Sequence, residues 1–350
     1  MSAATFRRIA TEEAWQIPEI LQEMRALAAS PHQDPDLVLW RILLGDSTPS
    51  RETIRKLLDV EGERMQEMDA FGVDLHLLLL TSPGVQMLSP EQGTALATLA
   101  NDRLADIIAR HPRRFAGLAV VAPQAPISAA KEIDRAMNRL KLNGVVINSH
   151  TNGEYLDEEQ YWPILEAAEA LDAPIYIHPR SPPPGAAAYL AKYHLEDAIW
   201  GFQAETGLHG VRLIMRGVFD RFPKLRIVLG HMGEGIPYWL HRLDHMHRAS
   251  AGSQAAATGA LSWRPALKLR PSEYFKQNFL ITTSGMNWNA SLDFCLRVVG
   301  ADNIMWAVDY PYQETRDAVP FMDAAPISDA DRHKIYHGNA ERVFRIAPTT

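Results

Sequence analysis

The sequence is poor in cysteine and has no apolar segment of membrane-spanning length, and each absence excludes a class of protein. One cysteine, Cys295, among 350 residues rules out an internal disulfide framework and any multi-cysteine metal site. Its apolar surroundings, SLDFCLRVVG, predict a buried thiol. The longest apolar run, LHLLLLT, is too short to cross a bilayer, and the opening MSAATFRRIA has no apolar secretion signal. We therefore expect a cytoplasmic protein.

The chain also has no excess of positive charge. Its 35 basic and 42 acidic residues give a net charge of -7. This balance disfavours nucleic acid and anionic membranes as partners, although a small anionic substrate held by local arginines stays possible. Because 47% of the residues are apolar, a chain of this length can bury a large core.

Eight short apolar segments recur along the chain, separated by stretches with the 3.6-residue periodicity of helices. Strands that alternate with helices imply parallel pairing, and eight such units close naturally into a barrel. An open dinucleotide-binding sheet is the alternative, but no Gly-x-Gly-x-x-Gly follows the first strand. The pattern predicts an α/β fold, a (β/α)8 TIM barrel that forms a single domain over residues 1 to 350. The predicted strands are FRRIATEE, DLHLLLLT, FAGLAVVAP, GVVINSH, PIYIHP, LRIVLGH, NFLITTS and NIMWAVDYP.

Three connections exceed what a barrel needs, at residues 16 to 60, 179 to 200 and 248 to 272. Long ordered loops at a barrel mouth usually shape a binding site or a partner surface. We expect these segments to form active-site loops.

Polar side chains stand where several predicted strands end, which is where the chemistry of this fold is located. The first strand is predicted to end at Glu12 and Glu13, the fifth at His178 and the eighth at Asp309. Two carboxylates and one imidazole, Glu12, His178 and Asp309, would suit Mn²⁺, Mg²⁺, Zn²⁺ or Fe²⁺. Alternatively, either glutamate caps a helix, His178 is a core histidine and Asp309 is an N-cap.

His231 follows the sixth predicted strand in GHMGEGIPYWLHRLD, with Glu234 one helical turn later. It could be a fourth metal ligand, an acid or base that Glu234 orients, or a residue that caps a helix. Arg242 follows in the same stretch, and its positive charge near the rim could hold a substrate carboxylate.

The chain resembles the amidohydrolase superfamily and, within it, the metal-dependent decarboxylases of hydroxylated benzoates. The resemblance covers nearly the whole chain and includes RIATEEAW, LTSPGVQ, INSHTNGEYLDEE, YIHPRSPP, GFQAETGLH, GHMGEGIPYWLHRLDHMH, TTSGMNW and AVDYPYQ. Hydrolases of the superfamily usually begin with His-x-His and many decarboxylases with Glu-x-His. Here Glu12 resembles the remaining ligand of that motif, Ala14 replaces its histidine, and Glu13 has no assigned chemistry.

The resemblance also implies roles for residues elsewhere in the chain. The other metal ligands correspond to His178 and Asp309, and the histidine of the family to His231. Four residues correspond to substrate-binding groups: Arg51, Thr81, Tyr312 and Arg242. The counterpart of Arg242 reaches the site of a neighbouring subunit, which implies a homodimer or homotetramer.

The implied reaction is decarboxylation of an ortho-hydroxybenzoate chelated by one divalent metal, with Mn²⁺ favoured and Zn²⁺ or Mg²⁺ possible. Direct loss of CO2 would leave an sp² carbanion, so the ring carbon is protonated first. Asp309 is the expected proton donor, because negative charge nearby favours its protonated form, and His231 with Glu234 would orient or supply the proton. Arg51 and Arg242 favour a substrate with a second carboxylate, because that group would need a cationic partner beyond the metal. A metal-dependent hydrolase of an ester, lactone or amide, and an inactive phenolic-binding barrel, are the alternatives.

Overall fold

The strands occur where the sequence predicts them. The computed structural model describes residues 6 to 252 and 266 to 348. The third predicted strand is divided in two at Leu118, which gives nine strand segments for eight barrel positions. The strands are β1 (Ile9–Trp15), β2 (Leu75–Leu80), β3 (Phe115–Gly117), β4 (Ala119–Val120), β5 (Val145–Asn148), β6 (Ile175–His178), β7 (Ile227–Leu229), β8 (Phe279–Thr282) and β9 (Ile304–Met305).

All of the strand pairs are parallel. β1, β2 and β3 form one ladder, and β4 to β9 form a second ladder in sequential order. Every residue of β2, Leu75–Leu80, is buried, as expected for parallel strands that are covered on both faces. The apolar runs of the sequence therefore form the barrel wall.

Backbone hydrogen bonds link the first strand to the end of the sheet. The Thr11 N–H donates to the Trp306 carbonyl at 3.1 Å, and the Ala14 N–H donates to the Tyr310 carbonyl at 2.7 Å. The two ladders are joined at Leu118, whose neighbours belong to β3 and β4. This arrangement, together with the similarity to solved structures described below, confirms the predicted (β/α)8 barrel.

Helices connect consecutive strands, and several begin at a serine cap. The side chains of Ser47, Ser89 and Ser328 each accept a backbone N–H of the first turn. No helix within the described ranges is long and apolar enough to span a membrane. The helices are Pro18–Ala29, Asp36–Leu43, Thr48–Leu58, Glu63–Phe71, Pro90–Arg110, Pro126–Arg135, Trp162–Ala170, Pro184–Ala187, Gly201–Met215, Val218–Arg221, His231–Glu234, Ile236–Gly252, Pro271–Asn278, Asn289–Val299, Thr315–Ala324, Asp329–His333 and Asn339–Phe344, with shorter helical turns at Ala136–Leu140, Glu159–Tyr161, Ala191–Tyr193, Ala301–Asn303 and Lys334–Gly338.

Two of the strand ends differ from the sequence prediction. β1 does not end at Glu12 and Glu13 but continues to Trp15, because the register shifts between Ala10 and Glu13 and the pairing with β2 then resumes. β9 ends at Met305, four residues before Asp309. Asp309 thus belongs to the loop after the strand.

The first of the long connections is largely helical. Residues 16 to 60 contain the helices Pro18–Ala29, Asp36–Leu43 and Thr48–Leu58. Part of the third long connection, residues 253 to 265, lies outside the described residues. Cys295 is buried as predicted, and burial raises the pKa of its thiol to about 11.

A buried ion-pair cluster attaches the helix Asp36–Leu43 to the barrel. Arg180, two residues after β6, donates to Asp36 Oδ2 at 2.7 Å and to Asp34 Oδ2 at 2.9 Å. The Ser181 N–H donates to the other oxygen of Asp36 at 2.7 Å. Both Arg180 and Asp36 are almost completely buried. This cluster fixes the helix above the C-terminal end of β6.

We expect Arg180→Ala to destabilise the fold by about 3 to 5 kcal/mol, because it leaves two carboxylates without their cation in a buried site. Urea or thermal unfolding checks this value. Arg297→Ala is the matched control, since Arg297 forms its ion pair with Asp293 at the exposed surface, and we expect a far smaller effect there. Equal destabilisation by the two substitutions would contradict the assigned role of the cluster.

Candidate metal centre and active site

Three side chains from distant parts of the chain converge at the C-terminal end of the barrel. Glu12 lies on β1, His178 ends β6 and Asp309 follows β9. One potential ligand atom from each lies within 4.8 Å of the other two. This is the set that the sequence predicts as metal ligands, and its two carboxylates and one imidazole could hold one divalent cation.

The carboxylate of Glu12 is completely buried and only half satisfied. Its Oε2 atom accepts from the Thr282 hydroxyl at 3.0 Å and from the Tyr176 hydroxyl. Its Oε1 atom is buried and has no hydrogen-bond partner. A buried carboxylate oxygen without a partner is costly, so this atom fits a cation ligand. Glu12 therefore offers Oε1 to a metal while the barrel interior holds Oε2.

His178 presents a neutral ring to the same point. Its Nδ1 atom lies 3.0 Å from the Pro179 carbonyl, which assigns the proton to Nδ1 and leaves the lone pair on Nε2. Nε2 lies 3.7 Å from Glu12 Oε1. Burial lowers the pKa of His178. A neutral imidazole with a free Nε2 lone pair is the form that binds metals.

Asp309 is held in a left-handed backbone conformation, with φ 77°. Burial raises the pKa of its carboxyl to about 6; His231 opposes this shift and Glu12 adds to it. Asp309 does not cap the next helix, because Glu314 is the N-cap of Thr315–Ala324. Likewise, Ile17 rather than Glu12 or Glu13 precedes the helix Pro18–Ala29. The alternative capping roles do not apply.

His231 and Glu234 form a pair beside Asp309. The Nδ1 atom of His231 lies 2.8 Å from Glu234 Oε1, and Nε2 lies 3.8 Å from Asp309 Oδ2. Burial alone would lower the pKa of His231, but the Glu234 and Glu12 carboxylates and the contact with Asp309 raise it well above its ordinary value. With Nδ1 engaged by Glu234, the Nε2 atom of His231 faces Asp309. This geometry favours the acid–base role over the fourth-ligand role.

A cavity of about 280 Å³ opens directly beside the three converging side chains. Thr81 and Tyr312 lie in its wall, and their hydroxyl oxygens are 2.6 Å apart. Burial raises the pKa of Tyr312, so its phenol is neutral and can donate. The helix Asp36–Leu43 contributes the apolar side. The lining residues are Asp36, Leu39, Trp40, Leu43, Thr81, Ser82, His178, Pro179, Asp197, Ala198, Phe202, His231, Asp309, Tyr312 and Gln313.

The two predicted substrate-binding arginines lie elsewhere in the single chain. Arg51 lines a different cavity, together with Arg25 and Arg55, and donates to the Asp46 carbonyl. Arg242 is exposed on the helix Ile236–Gly252. Among the described residues around the 280 Å³ cavity there is no lysine or arginine. The roles of Arg51 and Arg242 stay predictions.

The sequence did not identify Tyr176 or Gly230 as residues that shape the site, and it assigned no chemistry to Glu13. Tyr176 precedes His178 by two positions on β6, so strand alternation places both on one face and could have identified it. Gly230 had no signal in the sequence; a Cβ built there would lie 2.8 Å from both Glu12 oxygens. Glu13 accepts from two backbone amides beside Asp309. These residues act through the ligands and not on the cavity.

Comparison with known proteins defines the class of this protein. The sequence matches the amidohydrolase family over residues 51 to 346, and the chain belongs to that family. A gamma-resorcylate decarboxylase of Rhizobium radiobacter is 35% identical over 348 residues, which cover 97% of this chain and 98% of the relative.

Solved structures give a narrower comparison. The 5-carboxyvanillate decarboxylase of Sphingomonas paucimobilis is 48% identical, with a TM-score of 0.93 over 98% of this chain and 100% of that chain. The 5-carboxyvanillate decarboxylase of Novosphingobium aromaticivorans, solved with manganese and 4-hydroxy-3-methoxy-5-nitrobenzoic acid, is 41% identical, with a TM-score of 0.92 over 97% of this chain and 96% of that chain. The protein is thus similar throughout its length to decarboxylases of phenolic acids.

We expect Gly230→Ala to weaken Mn²⁺ binding by about 10-fold or more, because the added methyl group displaces the Glu12 carboxylate. The backbone at Gly230 has φ -69°, which alanine adopts without strain. Titration of chelator-treated protein with Mn²⁺, followed by calorimetry or electron paramagnetic resonance, measures the affinity. Gly185→Ala is the control, since a Cβ there meets nothing within 4 Å. Unchanged affinity in folded Gly230→Ala protein would argue against Glu12 as a ligand.

Proposed function

We propose that this protein is a metal-dependent, non-oxidative decarboxylase of an ortho-hydroxybenzoate. The observation that carries the proposal is the convergence of Glu12, His178 and Asp309 on one point beside a cavity of small-molecule size, with an unpaired carboxylate oxygen facing that point. The curated relatives and solved structures described above are named as phenolic acid decarboxylases, which supports the same reaction.

Glu12, His178 and Asp309 would hold one divalent ion, for which the manganese in the Novosphingobium structure favours Mn²⁺. When bound, this ion supplies a Lewis acid for the carboxylate and the neighbouring phenolate of the substrate. The apolar side of the cavity, including Trp40 and Phe202, receives the ring. Tyr312 and Thr81 offer hydroxyl groups to the polar edge of the ring.

The residues of the chain account for the proton that the reaction requires. Asp309 lies in the cavity wall, and burial raises the pKa of its carboxyl above that of an exposed aspartate, toward the range of a general acid. Asp309 donates this proton to the ring carbon that bears the carboxylate. The bond to the carboxylate then breaks, its electron pair returns to the ring, and CO2 leaves. His231, oriented by Glu234, returns a proton to Asp309.

Within this class we propose 5-carboxyvanillate, which would yield vanillate, or a close phenolic acid as the substrate. The identity of 48% to the Sphingomonas enzyme supports this assignment. A second carboxylate needs a cationic partner, and the described cavity residues of one chain include no lysine or arginine. We therefore propose that the protein is a homodimer or homotetramer in which Arg242 of one subunit reaches the neighbouring site, and that Arg51 turns toward the bound substrate.

The decisive experiment is CO2 release from a panel of ortho-hydroxybenzoates, with 5-carboxyvanillate first. Chelator-treated protein is assayed without metal and with Mn²⁺, Mg²⁺ or Zn²⁺. We expect release that depends on the added metal and is fastest with Mn²⁺. Folded, metal-loaded protein that releases no CO2 from any member would contradict the proposal, and hydrolysis of esters and lactones would then be measured.

Asp309→Asn should abolish turnover while the barrel stays folded, because the amide cannot supply the proton. Circular dichroism and Mn²⁺ titration establish that the variant is folded and whether it binds metal. His231→Asn serves for comparison. We expect a smaller loss of turnover in this variant, because His231 only returns the proton to Asp309. A substantial rate in metal-loaded Asp309→Asn protein would remove Asp309 from the proton-transfer step.

Arg242→Ala should raise the KM for a dicarboxylated phenol about 10- to 100-fold, the usual effect of losing a hydrogen bond to a charged group. The KM for an ortho-hydroxybenzoate with one carboxylate should change much less. Arg297→Ala, at an exposed helical position, is the control. Equal effects on both substrates would argue against recognition of the second carboxylate by Arg242.

A further inference from the structure

The side chain of Glu13 contacts the backbone on both sides of Asp309. Its Oε1 atom accepts the Val308 N–H at 2.9 Å, and its Oε2 atom accepts the Tyr310 N–H at 3.1 Å. Glu13 is completely buried and does not line the cavity of the site. Its carboxylate thus bridges the two residues that flank a candidate metal ligand.

This side-chain contact replaces backbone hydrogen bonds that are missing where β1 meets the segment after β9. The register of β1 shifts between Ala10 and Glu13, and the backbone N–H groups of Thr11 and Ala14 reach only Trp306 and Tyr310. The Val308 and Tyr310 amides would otherwise need other acceptors in a buried region. The side chain of Glu13 provides them, so the loop that carries Asp309 is attached to β1.

The backbone at Asp309 needs such attachment. Its φ of 77° lies in the left-handed region, which non-glycine residues adopt only when their surroundings hold them there. The Asp309 carbonyl accepts from the Tyr312 and Gln313 N–H groups at 2.8 and 2.9 Å, and Glu13 binds the amides directly before and after Asp309. Without the Glu13 contacts, the loop could relax and move the Asp309 carboxylate away from Glu12 and His178.

A buried cation accompanies the Glu13 carboxylate. Arg64 is fully buried, donates to the Ala14 carbonyl and lies 4.5 Å from the ring centre of Tyr310. The geometry, with both oxygens accepting from amides, is that of the carboxylate.

We propose that Glu13 is a positioning residue that holds Asp309 in place for metal binding and proton transfer. It touches neither the cavity nor the ligand set and acts only through the backbone of the Asp309 loop. The proposal rests on the proposed function for its kinetic consequence, whereas its consequence for metal affinity does not require any particular reaction.

The test compares Glu13→Gln with Thr11→Val. Glutamine keeps the size of the side chain, but its NH2 group faces one of the two backbone amides and cannot accept a hydrogen bond from it. Thr11 lies on the same strand, is equally buried and donates through its hydroxyl to the Trp306 carbonyl at 2.8 Å. Thr11→Val therefore weakens the contact between β1 and the segment after β9 at a point away from Asp309. Mn²⁺ affinity of the chelator-treated full-length protein is measured for both, together with their unfolding midpoints.

We expect Mn²⁺ affinity to fall about 10- to 100-fold in Glu13→Gln and to stay within twofold of the parent protein in Thr11→Val. Hydrogen exchange of the segment 306 to 311 should accelerate in Glu13→Gln. With Mn²⁺ saturating, kcat should fall in Glu13→Gln more than KM rises, because the side chain does not contact substrate.

Equal Mn²⁺ affinities in the two variants would overturn the proposal, whatever reaction the enzyme performs. If Glu13→Gln does not fold, Glu13→Asp takes its place, because it keeps the charge but is one methylene too short to reach both amides. Parent-like Mn²⁺ affinity in that variant would equally overturn the proposal. A failure of CO2 release in the parent protein, with the affinity difference intact, would reject only the proposed function.

Discussion

The buried carboxylate of Glu12, with one oxygen unpaired, is the constraint on which the site depends. Burying such an oxygen without a partner costs free energy, and a cation bound to it would offset that cost. Tyr176 and Thr282 bind one oxygen and so direct the other toward His178 and Asp309. Gly230 leaves the space that the carboxylate occupies. The residues around Glu12 therefore fix its carboxylate so that Oε1 faces His178 and Asp309.

Several acidic side chains surround this oxygen. His231 lies between two of them, with Nδ1 2.8 Å from Glu234 Oε1 and Nε2 3.8 Å from Asp309 Oδ2. The crowding of carboxylates and their burial explain why Asp309 retains a proton more readily than an exposed aspartate does. The same group of carboxylates, with His178, could hold a divalent cation.

The mouth of the barrel is formed by a different part of the chain. The helix Asp36–Leu43 supplies apolar side chains to the cavity and is attached through Asp36 to Arg180, which closely follows the ligand His178. His178 and the helix Asp36–Leu43 are consequently both fixed at the end of β6. Thr81 and Tyr312 add hydroxyl groups to the cavity wall. A cavity lined by both apolar and polar side chains is suited to a phenolic ring.

The sequence by itself predicted the barrel and singled out Glu12, His178 and Asp309, which the structure brings together. It could do so because alternating strand and helix patterns are local and polar residues near strand ends are visible in one dimension. It also singled out His231 and Glu234, which the structure places in contact. It could not determine the length of β1 or the function of Glu13, since a register shift depends on the neighbouring strand. Only the tertiary structure decided that Glu13 bridges the amides beside Asp309, that Tyr176 and Gly230 orient Glu12, and that Arg180 anchors the helix above the site. Each of these contacts joins residues that are at least 140 positions apart in the sequence. Such residues come close in space only when the strands assemble into the barrel.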